Sequence, residues 1–260
     1  MNKRFDIGRI RKAFDASAIR YDQHSELQRE ILGECVKLAK NFWQDGAVIL
    51  DLGTGTGALA ERAKKSGLKW DIYGLDLSFD MCNIARTQDI RAVTANADSI
   101  PFSEASFDGV FSSLMLQWAN DPLAVFKEML RIVKPGGKCV LSTFIYGTLE
   151  ELRTAFSTLD NNRHINDFGP PNYFSALAVH AGFRVLSSEE TIVTEYYPDV
   201  MALMQGLKSI GASTKEGTIR KGMMTPRQLK ALEQNYRSRF AHVDGLPATW
   251  QVMVLLLEKP

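Results

Sequence analysis

Three aspartates and a run of glycines carry the chemistry this sequence is equipped to do. Val48-Ile49-Leu50-Asp51-Leu52-Gly53-Thr54-Gly55-Thr56-Gly57 ends one apolar run and opens a helix. Glycines there let the backbone turn sharply and approach a ligand closely. Asp51 sets a carboxylate just ahead of them, where it can meet an ammonium and would repel a pyrophosphate. Asp76 ends the second apolar run, where a carboxylate can take both hydroxyls of a ribose. Asp98 follows the third, in Asn96-Ala97-Asp98-Ser99-Ile100-Pro101-Phe102, where it can accept from an exocyclic amine. Acids at three consecutive strand ends suit a ligand with an amine, a diol and an exocyclic amine, and no phosphate. Two other readings stay open. Gly53-x-Gly55-x-x-Ala58 also fits a dinucleotide fingerprint, and Asp76 and Asp98 could merely cap a helix or turn.

The elements that must position these groups follow from hydrophobic rhythm. Residues 48–50, 72–75, 92–93, 109–111 and 139–141 read as buried strands, with helices near 57–66, 78–88 and 121–134 between them. Asp121-Pro122 is a cap followed by proline at the first helical position. This alternation predicts a doubly wound α/β fold with right-handed crossovers and a mostly parallel seven-stranded sheet. Ahead of it, Ser25-x-x-Gln28 resembles a capping box for a helix carrying Leu27, Ile31, Cys35, Leu38 and Phe42. Behind it, Thr148-x-x-Glu151 opens a helix, 184–194 reads as a strand, and Thr225-Pro226-Arg227-Gln228 starts the second of two helices. Trp250 to Glu258 closes the chain as a strand. The expected organisation is one domain over 1–260, with a helical cover at 1–45, a ligand-binding core at 47–145 and a helical lid inserted at 198–240.

Composition narrows the function classes. A formal charge of +1 over 260 residues gives no global signal for nucleic acid or membrane. Cys35, Cys82 and Cys139 lie far apart without ligand spacing, which argues for a reducing compartment and against a zinc site or disulfide frame. No apolar run follows the charged start Met1 to Asp6, and Val252 to Leu257 is too short to span a bilayer. A cytoplasmic location is the expectation.

With the glycine loop and its acids, two further segments complete a resemblance. Ser106-Phe107-Asp108-Gly109-Val110 lies at the fourth strand, and Leu130 to Lys138 ends a helix at Pro135 and turns through Gly136-Gly137. Over 47–145 the chain resembles the class I S-adenosylmethionine (SAM)-dependent methyltransferases. That resemblance implies SAM as cofactor, held by Tyr21, Asp51, Gly53, Gly55, Asp76, Leu77, Asp98, Ser99 and Leu114. The flanks are more particular. Phe14-x-x-x-Ala18-x-x-Tyr21-Asp22 with Leu27-Gln28, Leu116-Gln117-Trp118, Gly147 to Leu152, Asp160-x-x-x-His164-x-Asn166-x-Phe168, Leu207 to Ala212, and Gly245-Leu246-Pro247-x-Thr249 look like the malonyl-acyl-carrier protein O-methyltransferases of biotin synthesis. Thr54 departs from that pattern, which commonly has Cys; the expected contact is through backbone, so little should follow.

The resemblance implies methyl transfer from SAM to the free carboxylate of a malonyl thioester. An ionised carboxylate needs neither a general base nor a metal, so the enzyme contributes alignment and exclusion of water. A quinone precursor as substrate, and a non-catalytic SAM-binding protein, are the alternatives. Candidate substrate-pocket residues are Arg153, which could pair a carboxylate or sit on a solvated helix face, His164, which could line the pocket or only bond within the lid, and Trp118, core or wall. Residues 201–240 hold eight basic residues against Glu216 and Glu233, a local +6. Of these, Lys208, Lys215, Arg220, Lys221, Arg227 and Lys230 could form a solvated face or dock an acidic acyl-carrier protein.

Overall fold

The computed structural model describes residues 5–160, 164–209 and 224–260. Two helices, α1 (Ile7–Tyr21) and α2 (Glu26–Ala39), precede β1 (Val48–Leu52), α3 (Ala58–Lys65), β2 (Asp71–Asp76), α4 (Phe79–Arg86) and β3 (Arg91–Thr94). Then come β4 (Phe107–Ser113), α5 (Pro122–Ile132), β5 (Val133–Phe144), α6 (Glu150–Ser157) and α7 (Pro171–Ala181). The chain ends with β6 (Arg184–Tyr197), α8 (Val200–Ser209), α9 (Pro226–Phe240) and β7 (Leu246–Glu258).

The described strands form one seven-stranded sheet in the order β3-β2-β1-β4-β5-β7-β6. The pairs among β1 to β5 are parallel, and β7 runs antiparallel between β5 and β6. Side chains alternate between two apolar layers. Ile49, Phe111 and Val140 point into the layer shared with α2, α6, α8 and α9. Leu50, Val110 and Leu141 point into the layer under α5 and α7. That period of two, with apolar residues on both faces, is what a buried parallel strand requires. β6 has one sheet neighbour and is correspondingly polar, with Glu189 and Glu190 exposed. From β1 the chain builds outward to β3, then crosses to β4 on the other side. That reversal opens a crevice at the carboxyl ends of β1 and β4.

Local start signals worked unevenly. Asp121 accepts from the Ala124 amide at 3.0 Å with Pro122 at the first helical position, and the Thr225–Gln228 capping box is formed. Two other expected signals are not used. Ser25 makes no side-chain cap bond to α2. Thr148 donates instead to the Gln251 carbonyl at 3.1 Å, while Glu151 accepts from Thr249, so both residues tie α6 to β7. Long-range pairing to the sheet outcompeted a local cap there.

Candidate active site

The glycine loop is folded back on β2. Gly53 and Thr54 amides donate to the Leu75 carbonyl at 2.8 and 3.0 Å. Gly53 has φ +83°, and a Cβ there would lie 2.6 Å from the Met115 side chain, so only glycine fits. Gly55, at φ +54°, has nothing within 4 Å of where a Cβ would stand. The loop's shape is fixed by Asp76: its Oδ2 accepts from the Gly55 amide at 2.9 Å and its Oδ1 from the Ser78 amide at 2.8 Å. Burial raises the Asp76 pKa above the ordinary carboxylate range, and these amide bonds oppose that rise.

The first helix covers this crevice because its polar residues are tied to both loops. Thr56 donates to Asp22 at 2.8 Å, and Ser78 donates to Asp15 at 2.5 Å. Ahead of the helix, the Phe5 amide donates to Asn120 Oδ1 at 2.7 Å, and Asn120 Nδ2 donates back to the Phe5 carbonyl at 3.0 Å. The result is a cavity lined by Ile10 and Phe14 from α1, by Gly53 and Gly55, and by Asp76, Leu77, Asp98 and Asn120. Its described lining includes Asp76, Asp98 and Asp121 but no Lys, Arg or His. A pyrophosphate would meet carboxylates with no counter-charge. A ligand bearing amine, hydroxyl and exocyclic amine groups meets acceptors there, so SAM fits the site.

A second cavity lies beside the first. Phe144, Leu149, His164, Ile165, Phe168, Met201, Met204, Leu229 and Trp250 give it a mostly apolar wall, with Gln28, Gln117 and Lys208 among its polar members. Phe14, Tyr21, Leu114 and Trp118 line both cavities. Trp118 is wedged between Phe5 and Phe14, each with its ring centre 5.7 Å away. Leu114 has φ +54°, a strained value for a branched side chain. It is held there by its amide, 2.9 Å from the Ser142 carbonyl, and by its own carbonyl, which accepts from Gln117 Nε2. Gln117 is fixed in turn by Thr143, which donates to its Oε1 at 3.0 Å. For Tyr21, burial first, then Asp76 and Asp22, push the phenol pKa upward, so the group stays a neutral hydroxyl.

Several expected residues stand elsewhere. Asp51 and Ser99 do not line either cavity. Asp51 sits behind the glycine loop, 4% exposed, and accepts from the Thr54 hydroxyl at 2.8 Å; burial raises its pKa to about 7. Thr54 is therefore more than backbone: its side chain orients that carboxylate and fills the space over Gly74. Arg153 is also outside both cavities. Its guanidinium is 3.0 Å from Asp167, 3.3 Å from Glu150 and 2.9 Å from the Asn166 carbonyl, so it braces the 166–167 segment. His164 does line the second cavity, stacked on Phe156 at 3.9 Å with its Nε2 2.8 Å from Asp160 Oδ1. Lys208, Arg227 and Lys230 are exposed on α8 and α9, whereas Lys215, Arg220 and Lys221 lie outside the described residues. Sequence reasoning missed the Phe5–Asn120 clasp and the strained Leu114, since neither residue type nor spacing announces them.

Comparison with known proteins gives a consistent picture. Residues 50–141 match the family described as a methyltransferase domain. A malonyl-acyl-carrier protein O-methyltransferase of Hahella chejuensis is 31% identical, the match covering 98% of this chain and 91% of the relative. The biotin biosynthesis bifunctional protein BioHC of Teredinibacter turnerae is 33% identical over 97% of this chain, which spans 47% of that protein's length. Among solved structures, a SAM-dependent methyltransferase of Thermotoga maritima superposes with a TM-score of 0.55 at 19% identity, covering 96% of this chain and 99% of the other. That likeness is one of fold.

Proposed function

The chain belongs to the malonyl-acyl-carrier protein O-methyltransferase family, and we propose that it transfers a methyl group from SAM to the free carboxylate of a malonyl thioester, as a step in biotin synthesis. The observation that carries this reading is the pair of cavities meeting at Phe14, Tyr21, Leu114 and Trp118. One cavity is acidic, with no cation among its described lining residues; the other is apolar with scattered polar groups. A methyl donor in the first and an acyl chain in the second would meet at that wall.

SAM, when bound, supplies a methyl group on a positively charged sulfur, already activated for displacement. The chain's own residues need only bind, orient and exclude water. Asp76 is our candidate acceptor for the ribose hydroxyls, since its oxygens keep lone-pair capacity beyond the amide bonds from Gly55, Ser78 and Leu77. Leu77, Gly53 and Gly55 lie alongside, and we assign the exocyclic amine to Asp98, which lines the same cavity. We assign the ligand's ammonium to the glycine-loop side, with Asp51 acting through the loop as its buried counter-charge. Tyr21, held neutral, is a hydroxyl donor where the cavities meet. Trp118 and Leu114 shape the wall against which the carboxylate approaches, and His164 lines the acyl side. Ionised at neutral pH, a malonyl carboxylate attacks without a general base: one oxygen forms the new O–CH3 bond as the C–S bond breaks and its electron pair goes to sulfur.

The exposed Lys208, Arg227 and Lys230 support α8 and α9 as the docking face for an acidic acyl-carrier protein, with Lys215, Arg220 and Lys221 adjoining them in sequence. The described cysteines are buried and unbridged, as suits a reducing cytoplasm, and no helix among the described residues is long and apolar enough to cross a membrane. The reading is tested by measuring S-adenosylhomocysteine released with malonyl and with acetyl thioesters. Turnover with malonyl alone is expected. Equal turnover with acetyl thioester would contradict a carboxylate nucleophile.

A further inference from the structure

Gln28 occupies the third position of α2, from which a glutamine can close a capping box on Ser25. It does not do so. Ser25 makes no cap bond, and Ser25 Oγ and Gln28 Oε1 are both buried with no partner among the described residues. The Gln28 carboxamide instead lines the second cavity, as do Phe14 and Tyr21, which also wall the first. A helix has forgone its local cap, and a buried oxygen has forgone its donor, beside the second cavity. The oxygen is turned inward, away from the cavity, and no hydrogen bond within the fold claims the NH2 among the described residues, so the NH2 is the end of the carboxamide left for a ligand.

Two other polar groups of the second cavity are committed, while Tyr21 and Lys208 line it as further donors. Gln117 is spent on Leu114 and Thr143, and His164 is engaged with Asp160. We propose that Gln28 is the residue that binds the substrate's free carboxylate, resting on the malonyl reading above. With its oxygen buried, the carboxamide needs no rotation to offer its NH2 as a donor to a ligand in the cavity. That NH2 donates to the carboxylate oxygen that is not methylated. A neutral donor has a chemical advantage over an arginine here. It holds the carboxylate without cancelling the negative charge that makes the other oxygen nucleophilic. It also loses its charge-assisted bond once the ester forms, which favours product release.

Gln28→Glu separates this role from a structural one. Glutamate keeps the shape and is a good partner for a capping box on Ser25, near the positive end of α2. It abolishes the donor and adds repulsion toward a carboxylate. The expected result is a KM for malonyl thioester raised about tenfold or more, with SAM affinity unchanged and Tm equal or higher. Gln28→Ala, which removes the donor without adding charge, should raise the same KM by about fivefold or more with a smaller change in kcat. The proposal is overturned if both folded variants keep the wild-type KM, or if their losses track weakened SAM binding. Wild-type turnover of malonyl thioester is measured alongside. Its presence with an unchanged Gln28→Glu KM removes Gln28 alone; its absence removes the malonyl reading and this assignment together.

Discussion

The two cavities are built by different parts of the fold. The acidic one is made at strand ends: Asp76 closes β2, Gly53, Asp98 and Leu114 follow parallel strands, and backbone amides fix the loop through Asp76. The apolar one is made largely by covers: α1, α2, α8, α9, Leu149 ahead of α6 and the segment around His164 supply side chains that meet Phe144 of β5 and Trp250 of β7. Sheet edges give precise, backbone-determined geometry, whereas helices laid over them can change side chains without disturbing the sheet. The contrast teaches where each property resides. On the proposed reading, cofactor recognition belongs to the sheet, and substrate choice belongs to what was added around it.

That division can be broken by mutation. Asp76→Ala removes charge-assisted bonds worth roughly 1.5–3 kcal/mol each and also frees the Gly55 amide from its anchor. SAM affinity should fall by about 100-fold while Tm changes little. Calorimetry showing tight SAM binding by the folded variant would remove Asp76 from the site. On the covering side, Arg227→Glu with Lys230→Glu should raise KM for carrier-borne malonyl about tenfold, because charge reversal opposes an acidic partner. SAM affinity and the KM for malonyl-coenzyme A should hold, and added salt should imitate the variant. Equal losses on both thioesters would show damage to the cavity rather than to a docking face.

A smaller effect sharpens the acidic cavity. Burial raises Asp51 to about pH 7, first through desolvation, against the Thr54 hydrogen bond that favours the charged form. The folded state thus binds a proton that the unfolded chain releases near pH 4. Stability contributed by this group therefore falls as pH rises from that range through about 7. A cationic ligand reverses the preference, since it favours the ionised carboxylate. SAM affinity should rise about fivefold from pH 6 to 7 and decline again as the ligand's own amine loses its proton near pH 8. Asp51→Asn should flatten the rising limb. A rising limb that survives in that variant would assign it to another group.

How much of this was legible in the sequence follows the same division. The glycine run, the strand-end acids and the helix rhythm foretold the doubly wound sheet because each is local: a turn needs glycine, and a buried strand needs a short apolar run. Asp76, Leu77 and Asp98 accordingly stand on the cavity wall. Side chains whose fate depends on distant partners were harder to place. Arg153 had the right charge and spacing, but Asp167, fourteen residues away, claims it. Thr148 and Glu151 look like a cap until β7 arrives beside them. Gln28 reads as a capping partner for the same reason, and its exposure to the second cavity appears only once α2 is packed against the sheet.

The central claim is that a methyl group crosses the wall between the cavities onto a carboxylate oxygen. It is tested most directly by incubating the protein with SAM labelled in its methyl group and malonyl thioester, then locating the label by mass spectrometry. The account predicts one labelled methyl on the malonyl unit, lost as methanol under mild base as an ester requires. A labelled methyl that resists base, held on carbon or nitrogen, would contradict it.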